Sequence, residues 1–307
     1  MKIESINLEM TDACNLRCAM CDIWKEKNNS YFTAEMVEEI FSSNVLSEKA
    51  DITLTGGEAF LHPELFFLVE RICRLRPGGI RTLSTNGVLT EAIASFMARF
   101  HASLSSGFSV HISLDGIHAH DVQRGKESKQ QILKTIRLLK QDYPTVPVKI
   151  KYTITPLNYA DILDTYLFCK RNGLVFKPKI VEYAPNYTNR LIKRSFAFTP
   201  EQKARIKQDL LRVNEEMNSS FVRDSVKFLY DENEAHYCLT PFNRAFVMSS
   251  GDVFSCIHFP KIGNLKTDSF GSIWNSSAAA GHRAQVDTEL CRKCVSYHGA
   301  KPAQSRT

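Results

Sequence analysis

The stretch TDACNLRCAMCDIW, residues 11–24, sets three cysteines in eight positions directly behind INLEM (6–10), an alternating run that reads as a first β-strand. Structural zinc normally takes four closed ligands, so a zinc site here would need Asp12 or Asp22 beside Cys14, Cys18 and Cys21. Three thiolates on one tight loop can instead hold three irons of a cubane iron–sulfur cluster and leave the fourth iron open. The spacing CxxxCxxC by itself leaves both readings standing.

The rest of the chain narrows the choice. At 307 residues, with 43% apolar and 23% charged side chains, it has room for one large α/β domain and a small appendage. No apolar run approaches a membrane span and MKIESINLEMT lacks a signal-peptide core, so a cytoplasmic location without membrane contact is expected. The net charge of +6 is mild. Its densest stretches, NRLIKRS (189–195) and KARIK (203–207), read as solvated faces, and no nucleic-acid partner is expected. In a reducing compartment, nine cysteines of which seven fall in two groups point to metal or redox chemistry rather than disulfides. The second group is Cys238, Cys256, Cys291 and Cys294.

Working outward, strand-like runs alternate with amphipathic helices. INLEM (6–10), DITLT (51–55), IRTLST (80–85), VHISLD (110–115), VKIKYTIT (148–155) and FKPKIVEY (176–183) read as strands. Helix starts are marked by Thr33, Pro63, Thr90, Asn158 and Thr199–Pro200. Six strand–crossover units imply parallel pairing in a curved, partly closed array, two units short of a closed barrel. The outer face must pack on helices and be apolar, so the polar alternates point into the lumen. These are Asn7, Glu9 and Thr11; His111, Ser113 and Asp115; Lys149, Lys151, Thr153 and Thr155; and Lys177, Lys179 and Tyr183. So many polar groups are not a packed core, and a polar ligand is expected among them.

CxxxCxxC behind the first strand of such an array resembles the radical SAM superfamily, and further matches follow in order. TGGE (55–58) ends the second strand, STNG (84–87) the third and SLDG (113–116) the fourth. The resemblance implies a partial (β/α)6 TIM-like barrel holding a 4Fe–4S cluster on Cys14, Cys18 and Cys21. It implies S-adenosylmethionine against Met20, Gly56, Gly57, Glu58, Ser84, Asn86, Ser113 and Asp115, with Glu58 facing the ammonium. Met20 stands where the family usually has an aromatic residue. Reductive cleavage of the sulfonium would yield a radical that removes a hydrogen atom from an inert C–H bond, with flavodoxin or ferredoxin as electron donor.

Cys238, Gly251, Cys256 and Cys291-x-x-Cys294 on their own would suit structural zinc. After a radical SAM core they resemble the twitch extension, a shortened SPASM domain, which implies a second 4Fe–4S cluster. The expected organisation is a barrel over 1–195, a linker helix region over 196–236 and a small C-terminal twitch domain over 237–307. The resemblance to twitch-domain dehydrogenases and epimerases implies a carbohydrate or aminocyclitol substrate and oxidation of an alcohol to a ketone, as in antibiotic biosynthesis. The base would be Lys151, Lys149 or His111. Epimerisation would need a thiol donor, for which Cys169 and Cys73 are spare. A leader-binding domain has no room ahead of Cys14, so a small molecule is expected over a peptide. A polycationic substrate would need acidic groups such as Glu9, Glu182, Asp231, Glu232 or Glu234. A peptide-modifying enzyme and a zinc-binding module are the remaining alternatives.

Overall fold

The structure, a computed structural model, describes residues 2–25, 29–182, 196–230, 236–286, 291, 294 and 300–302, with 236–237 and 300–302 as backbone alone. Tyr183, Asp231, Glu232 and Glu234 therefore lie outside the described residues. Strands β1 (Ile3–Glu9), β2 (Leu46–Thr55), β3 (Ile80–Thr85), β4 (Ser109–Ser113), β5 (Val148–Ile154) and β6 (Val175–Ile180) pair in parallel in that order. The crossovers are α1 (Ala34–Ser42), α2 (Leu65–Leu75), α3 (Thr90–Phe100), α4 (His120–Arg124) with α5 (Ser128–Asp142), and α6 (Ile162–Arg171). Then come α7 (Pro200–Met217) and α8 (Ser220–Leu229). The sequence reading had singled out neither α4 nor α5.

The starts follow local chemistry. Thr33 caps α1 by accepting from the Met36 amide at 3.3 Å. Thr199 and Gln202 form a reciprocal capping box around Pro200 at the head of α7.

The expected two-faced strands are present. Ile6, Leu8, Ile52, Leu54, Val110, Ile112, Ile150 and Ile180 are buried under the helices. On the other face, Ser84 pairs in register with His111 and His111 with Lys149, while the next rung sets Ser113 beside Lys151 and Lys151 beside Lys177. Since side chains alternate with period two, these registered residues share the lumen face, and the sixth-strand register matches the sequence reading.

The C-terminal segment continues the same sheet. After β7 (His236–Cys238) and the short α9 (Thr240–Asn243), β8 (Arg244–Val247) pairs in parallel with β1. β9 (Asp252–Phe254) and β10 (Gly263–Asn264) follow antiparallel, giving the order β10-β9-β8-β1-β2-β3-β4-β5-β6. Gly251, at φ +90°, turns the β8–β9 hairpin. Helices α10 (Phe270–Trp274) and α11 (Ser277–Ala284) cover it, and β11 (Ala300–Pro302) pairs with β7.

Trp274 is fully buried in the core, its indole Nε1 has no hydrogen-bond partner, and the Arg283 guanidinium lies 4.7 Å from its ring centroid. Trp274→Ala is expected to lower stability by about 3–5 kcal/mol through the cavity left behind. Trp274→Phe removes the unsatisfied donor while keeping a ring under the guanidinium, and should lose less than about 1.5 kcal/mol. Urea unfolding of the two variants checks the difference.

Candidate active site

The first cysteine loop is held by its neighbour. The Gly57 amide donates to Thr11 O at 2.7 Å and the Glu58 amide to Ala13 O at 2.8 Å. A Cβ on Gly57 would lie 2.3 Å from Ala13 O and 2.6 Å from Asp12 O, and one on Gly56 2.5 Å from Thr11 O. The glycines of TGGE are thus required by the cysteine loop itself, before any ligand approaches. Asn15, within that loop, accepts through Oδ1 from the Asn86 side-chain Nδ2 at 2.7 Å, which ties the loop to the end of β3. Met20 packs with Cys18, Val181 and Phe196.

Cys14, Cys18 and Cys21 are brought together closely enough for each thiol to disfavour ionisation of the next. Burial pushes Cys14 and Cys21 up to about 11, and Cys18 upward too. Three crowded, desolvated thiols make a poor solvent-facing surface and a good donor set for a soft metal centre, which releases their protons on binding. They fit the three protein ligands of an open 4Fe–4S cluster.

Two of the expected ligand-contact acids are held by hydrogen bonds within the protein. Glu58 is 1% exposed, and its carboxylate accepts from Thr85 Oγ1 at 2.8 Å, the Asn86 amide at 2.7 Å and the Phe60 amide at 3.4 Å. It locks the TGGE turn to β3. Burial raises its pKa to about 7 against those hydrogen bonds. Asp115 is fully buried and accepts from Arg124 Nε at 2.5 Å, Gln123 Nε2 at 2.7 Å and the Thr153 amide at 2.7 Å. It clamps Arg124 and Gln123 to the end of β5. Arg124 in turn reaches Cys18 Sγ at 3.8 Å. Burial opposes charge on Arg124, but Asp115 and Cys18 outweigh it and hold the guanidinium charged. Arg124 was missed because nothing in its local sequence links it to a cysteine 106 residues away.

The lumen face carries the other candidates. Lys151 donates to Ser84 Oγ at 3.2 Å across β4, bringing two predicted residues together, and Ser113 sits beside it in register. Burial, then Lys179 and Arg124, depress the Lys151 pKa to about 8. His111 lies among Lys151, Lys149 and Lys177, and burial together with those charges lowers it to about 3, so the ring is neutral. Cys169 is a correction: it is 1% exposed in the core under α6, away from the lumen, with its thiol raised to about 12 by burial alone. Cys73 packs against the same core from α2.

The second cysteine group assembles at the open edge of the barrel. Cys256 lies near Cys238 and Cys291, and burial raises its thiol to about 12. The Cys294 amide donates to Cys291 O at 3.2 Å, and Cys294 Sγ lies 3.8 Å from Glu182 Oε1. His258 Nε2 meets the same Glu182 oxygen at 2.7 Å, and Lys179 pairs with the other. Glu182 follows β6, so this contact joins the far edge of the sheet to the segment carried on β8. Four cysteines, with Cys256 close to both Cys238 and Cys291, fit a cluster closed by protein ligands. Neither Glu182 nor His258 was singled out for this junction from sequence, because only the curvature of the sheet makes them neighbours.

Gly57→Ala is expected to displace the cysteine loop, lowering apo-protein stability by about 1–3 kcal/mol and reducing iron at the first site; urea unfolding and iron analysis check both. Anaerobic reconstitution should load about eight irons in the wild type and about four in the Cys14/Cys18/Cys21→Ala variant, counted with acid-labile sulfide.

Among the described residues, no helix is long and apolar enough to cross a membrane. Residues 8–169 match the radical SAM superfamily and residues 238–295 match SPASM, an iron-sulfur cluster-binding domain. The chain is 24% identical over 252 residues to a probable GTP 3',8-cyclase of Methanocaldococcus jannaschii, covering 80% of each protein. It is 24% identical over 277 residues to the antilisterial bacteriocin subtilosin biosynthesis protein AlbA of Bacillus subtilis, covering 87% of this chain and 58% of AlbA. In fold it is similar to Streptococcus suis SuiB, solved bound to S-adenosylmethionine, with a TM-score of 0.67 at 17% identity over 95% of this chain and 72% of SuiB. With its cysteine loop, its glycine turn and its cysteine-bearing extension in those positions, the chain belongs to the radical SAM superfamily, its barrel binding a 4Fe–4S cluster with S-adenosylmethionine and its SPASM segment further iron–sulfur.

Proposed function

We propose that this enzyme oxidises a polar small molecule of carbohydrate or aminocyclitol type, converting an alcohol to a ketone. When bound, the two clusters and S-adenosylmethionine supply the redox chemistry: hydrogen-atom removal from the carbinol carbon and an acceptor for the electron left behind. The observation that carries the reading is the position of the second cysteine group. The Glu182–His258 contact holds it against the end of β6, where Val181 packs with Cys18 and Met20 of the first cysteine loop. An electron acceptor held there would stand near the first cysteine loop and a substrate bound beside it.

The protein's own residues cover the remaining steps. The hydroxyl proton needs a base on the lumen face that is substantially unprotonated near neutral pH. Lys151 is the nearest match: with its pKa at about 8 it is half unprotonated near pH 8 and about one-tenth so at pH 7, and its ammonium is oriented by Ser84. Asp115 and Arg124 fix the cysteine loop above it, and the helices seal the outer face from water. Epimerisation loses support because Cys169 and Cys73 are both on helices behind the sheet. Modification of a peptide is the second reading, favoured by the likeness to AlbA.

A base works deprotonated, so kcat/KM should rise with pH and level off above about 8, the Lys151 value. Lys151→Met should abolish that rise and cut turnover by about 100-fold or more. The assay is reductive cleavage of S-adenosylmethionine with candidate sugars and aminocyclitols under anaerobic conditions. A ketone product supports the reading. An inverted stereocentre carrying solvent deuterium would establish an epimerase, and turnover confined to peptides would establish a peptide-modifying enzyme.

A further inference from the structure

The lumen carries a cation array that the oxidation chemistry does not require. Lys149 on β5 pairs in register with His111 on β4, and Lys177 on β6 pairs with Lys151 one rung further along. Adjacent strands lie about 4.8 Å apart, so these side chains rise from one small patch of a concave face. Among the described residues, no carboxylate pairs with Lys149, Lys151 or Lys177. The acids nearby are engaged elsewhere: Asp115 by Arg124, Gln123 and the Thr153 amide, and Glu182 by Lys179 and His258. Glu9 lies at the other edge, on β1, bound by Ser249.

Like charges side by side on a sheet destabilise it. On an outer, convex face such lysines would splay into water and mean little. Here they share the inner face with a neutral imidazole, and Lys177 is close enough to disfavour charge on Lys149, which desolvation also disfavours. A cluster of this kind is relieved by an anion, and lysines bind phosphate well as point charges. The charge count selects the anion. Lys149 and Lys177 contribute two positive charges, which match a phosphate monoester dianion and exceed one carboxylate.

Resting on the reading that the lumen holds the substrate, we propose that Lys149 and Lys177, with His111 as a neutral hydrogen-bonding neighbour, bind a phosphate group carried by that substrate. The substrate class is then a phosphorylated sugar or cyclitol. The phosphate sits in the Lys149–Lys177 patch, and the carbon to be oxidised is presented towards Lys151 and the cysteine loop.

The test titrates inorganic phosphate into the anaerobically reconstituted full chain, with S-adenosylmethionine present, by calorimetry at low ionic strength. Acetate is the carboxylate control. Saturable phosphate binding is expected, with Lys149→Gln and Lys177→Gln each weakening it by about ten-fold or more. Affinity for S-adenosylmethionine should change less than two-fold. Each variant should melt at or above the wild-type temperature without phosphate, because a repulsion has been removed, and should lose the stabilisation that phosphate confers on the wild type. Several results would overturn the proposal: no saturable binding by the wild type, undiminished binding by both variants, or acetate bound as tightly as phosphate. Displacement of phosphate by S-adenosylmethionine, or variants that melt well below the wild type, would overturn it too. Reductive cleavage of S-adenosylmethionine separates this from the wider reading. No phosphate binding by the wild type with cleavage intact defeats the phosphate site alone, whereas wild-type phosphate binding with no ketone from any phosphorylated sugar defeats the oxidation reading alone.

Discussion

The backbone-to-backbone contact between the first cysteine loop and the Gly56–Gly57 turn is the constraint on which the rest of the site depends. Two amides, those of Gly57 and Glu58, donate to Thr11 and Ala13, and there is no space for a side chain between the two loops. Because β1 and β2 pair in parallel, both loops leave the sheet at the same end, and the contact fixes the direction in which the three thiols face. Everything downstream is arranged around that direction: Glu58 locks the turn to β3, Asn86 holds Asn15, and Arg124 bridges Asp115 to Cys18.

These groups illustrate how a buried polar network takes up residues that look like ligand contacts. An isolated carboxylate in a closed interior is unfavourable, and burial raises the pKa of Glu58 and of Glu9 to about 7. Glu58 accepts three hydrogen bonds and Asp115 accepts three, one of them from a guanidinium, which offsets the desolvation each carries. Their contribution to function is orientation of the loops. Lys149 and Lys177 are the opposite case: like charges on one concave face with no carboxylate partner among the described residues, an arrangement that stability alone does not explain.

The C-terminal cysteine segment is integrated with the barrel more closely than an appendage would be. β8 adds to the β1 edge of the sheet, and Ser249, just after it, donates to Glu9 at 2.9 Å and lies 3.1 Å from Ser30, which donates to Asp12 of the first cysteine loop. At the other edge, Glu182 meets His258 and Cys294. The segment thus contacts both margins of the open barrel and spans the gap that two missing strand–helix units leave.

Much of this was legible in the chain. The cysteine spacing, the glycine turns after successive strands and the two-residue alternation of polar and apolar side chains are local properties, and each reports its own surroundings. They specified the parallel sheet, the lumen face of β4 to β6 and the two cysteine groups. What only the tertiary structure decided was which polar residues are used up by their neighbours and which remain available. Glu58, Asp115 and Cys169 read as site residues from position in a motif or from composition, yet hydrogen bonds from Thr85 and Arg124 and the core under α6 occupy them. Arg124, Glu182 and His258 became part of the site through contacts between residues 76 to 112 positions apart. No window of sequence contains such a pair, because it is the curvature of the sheet that brings its members together.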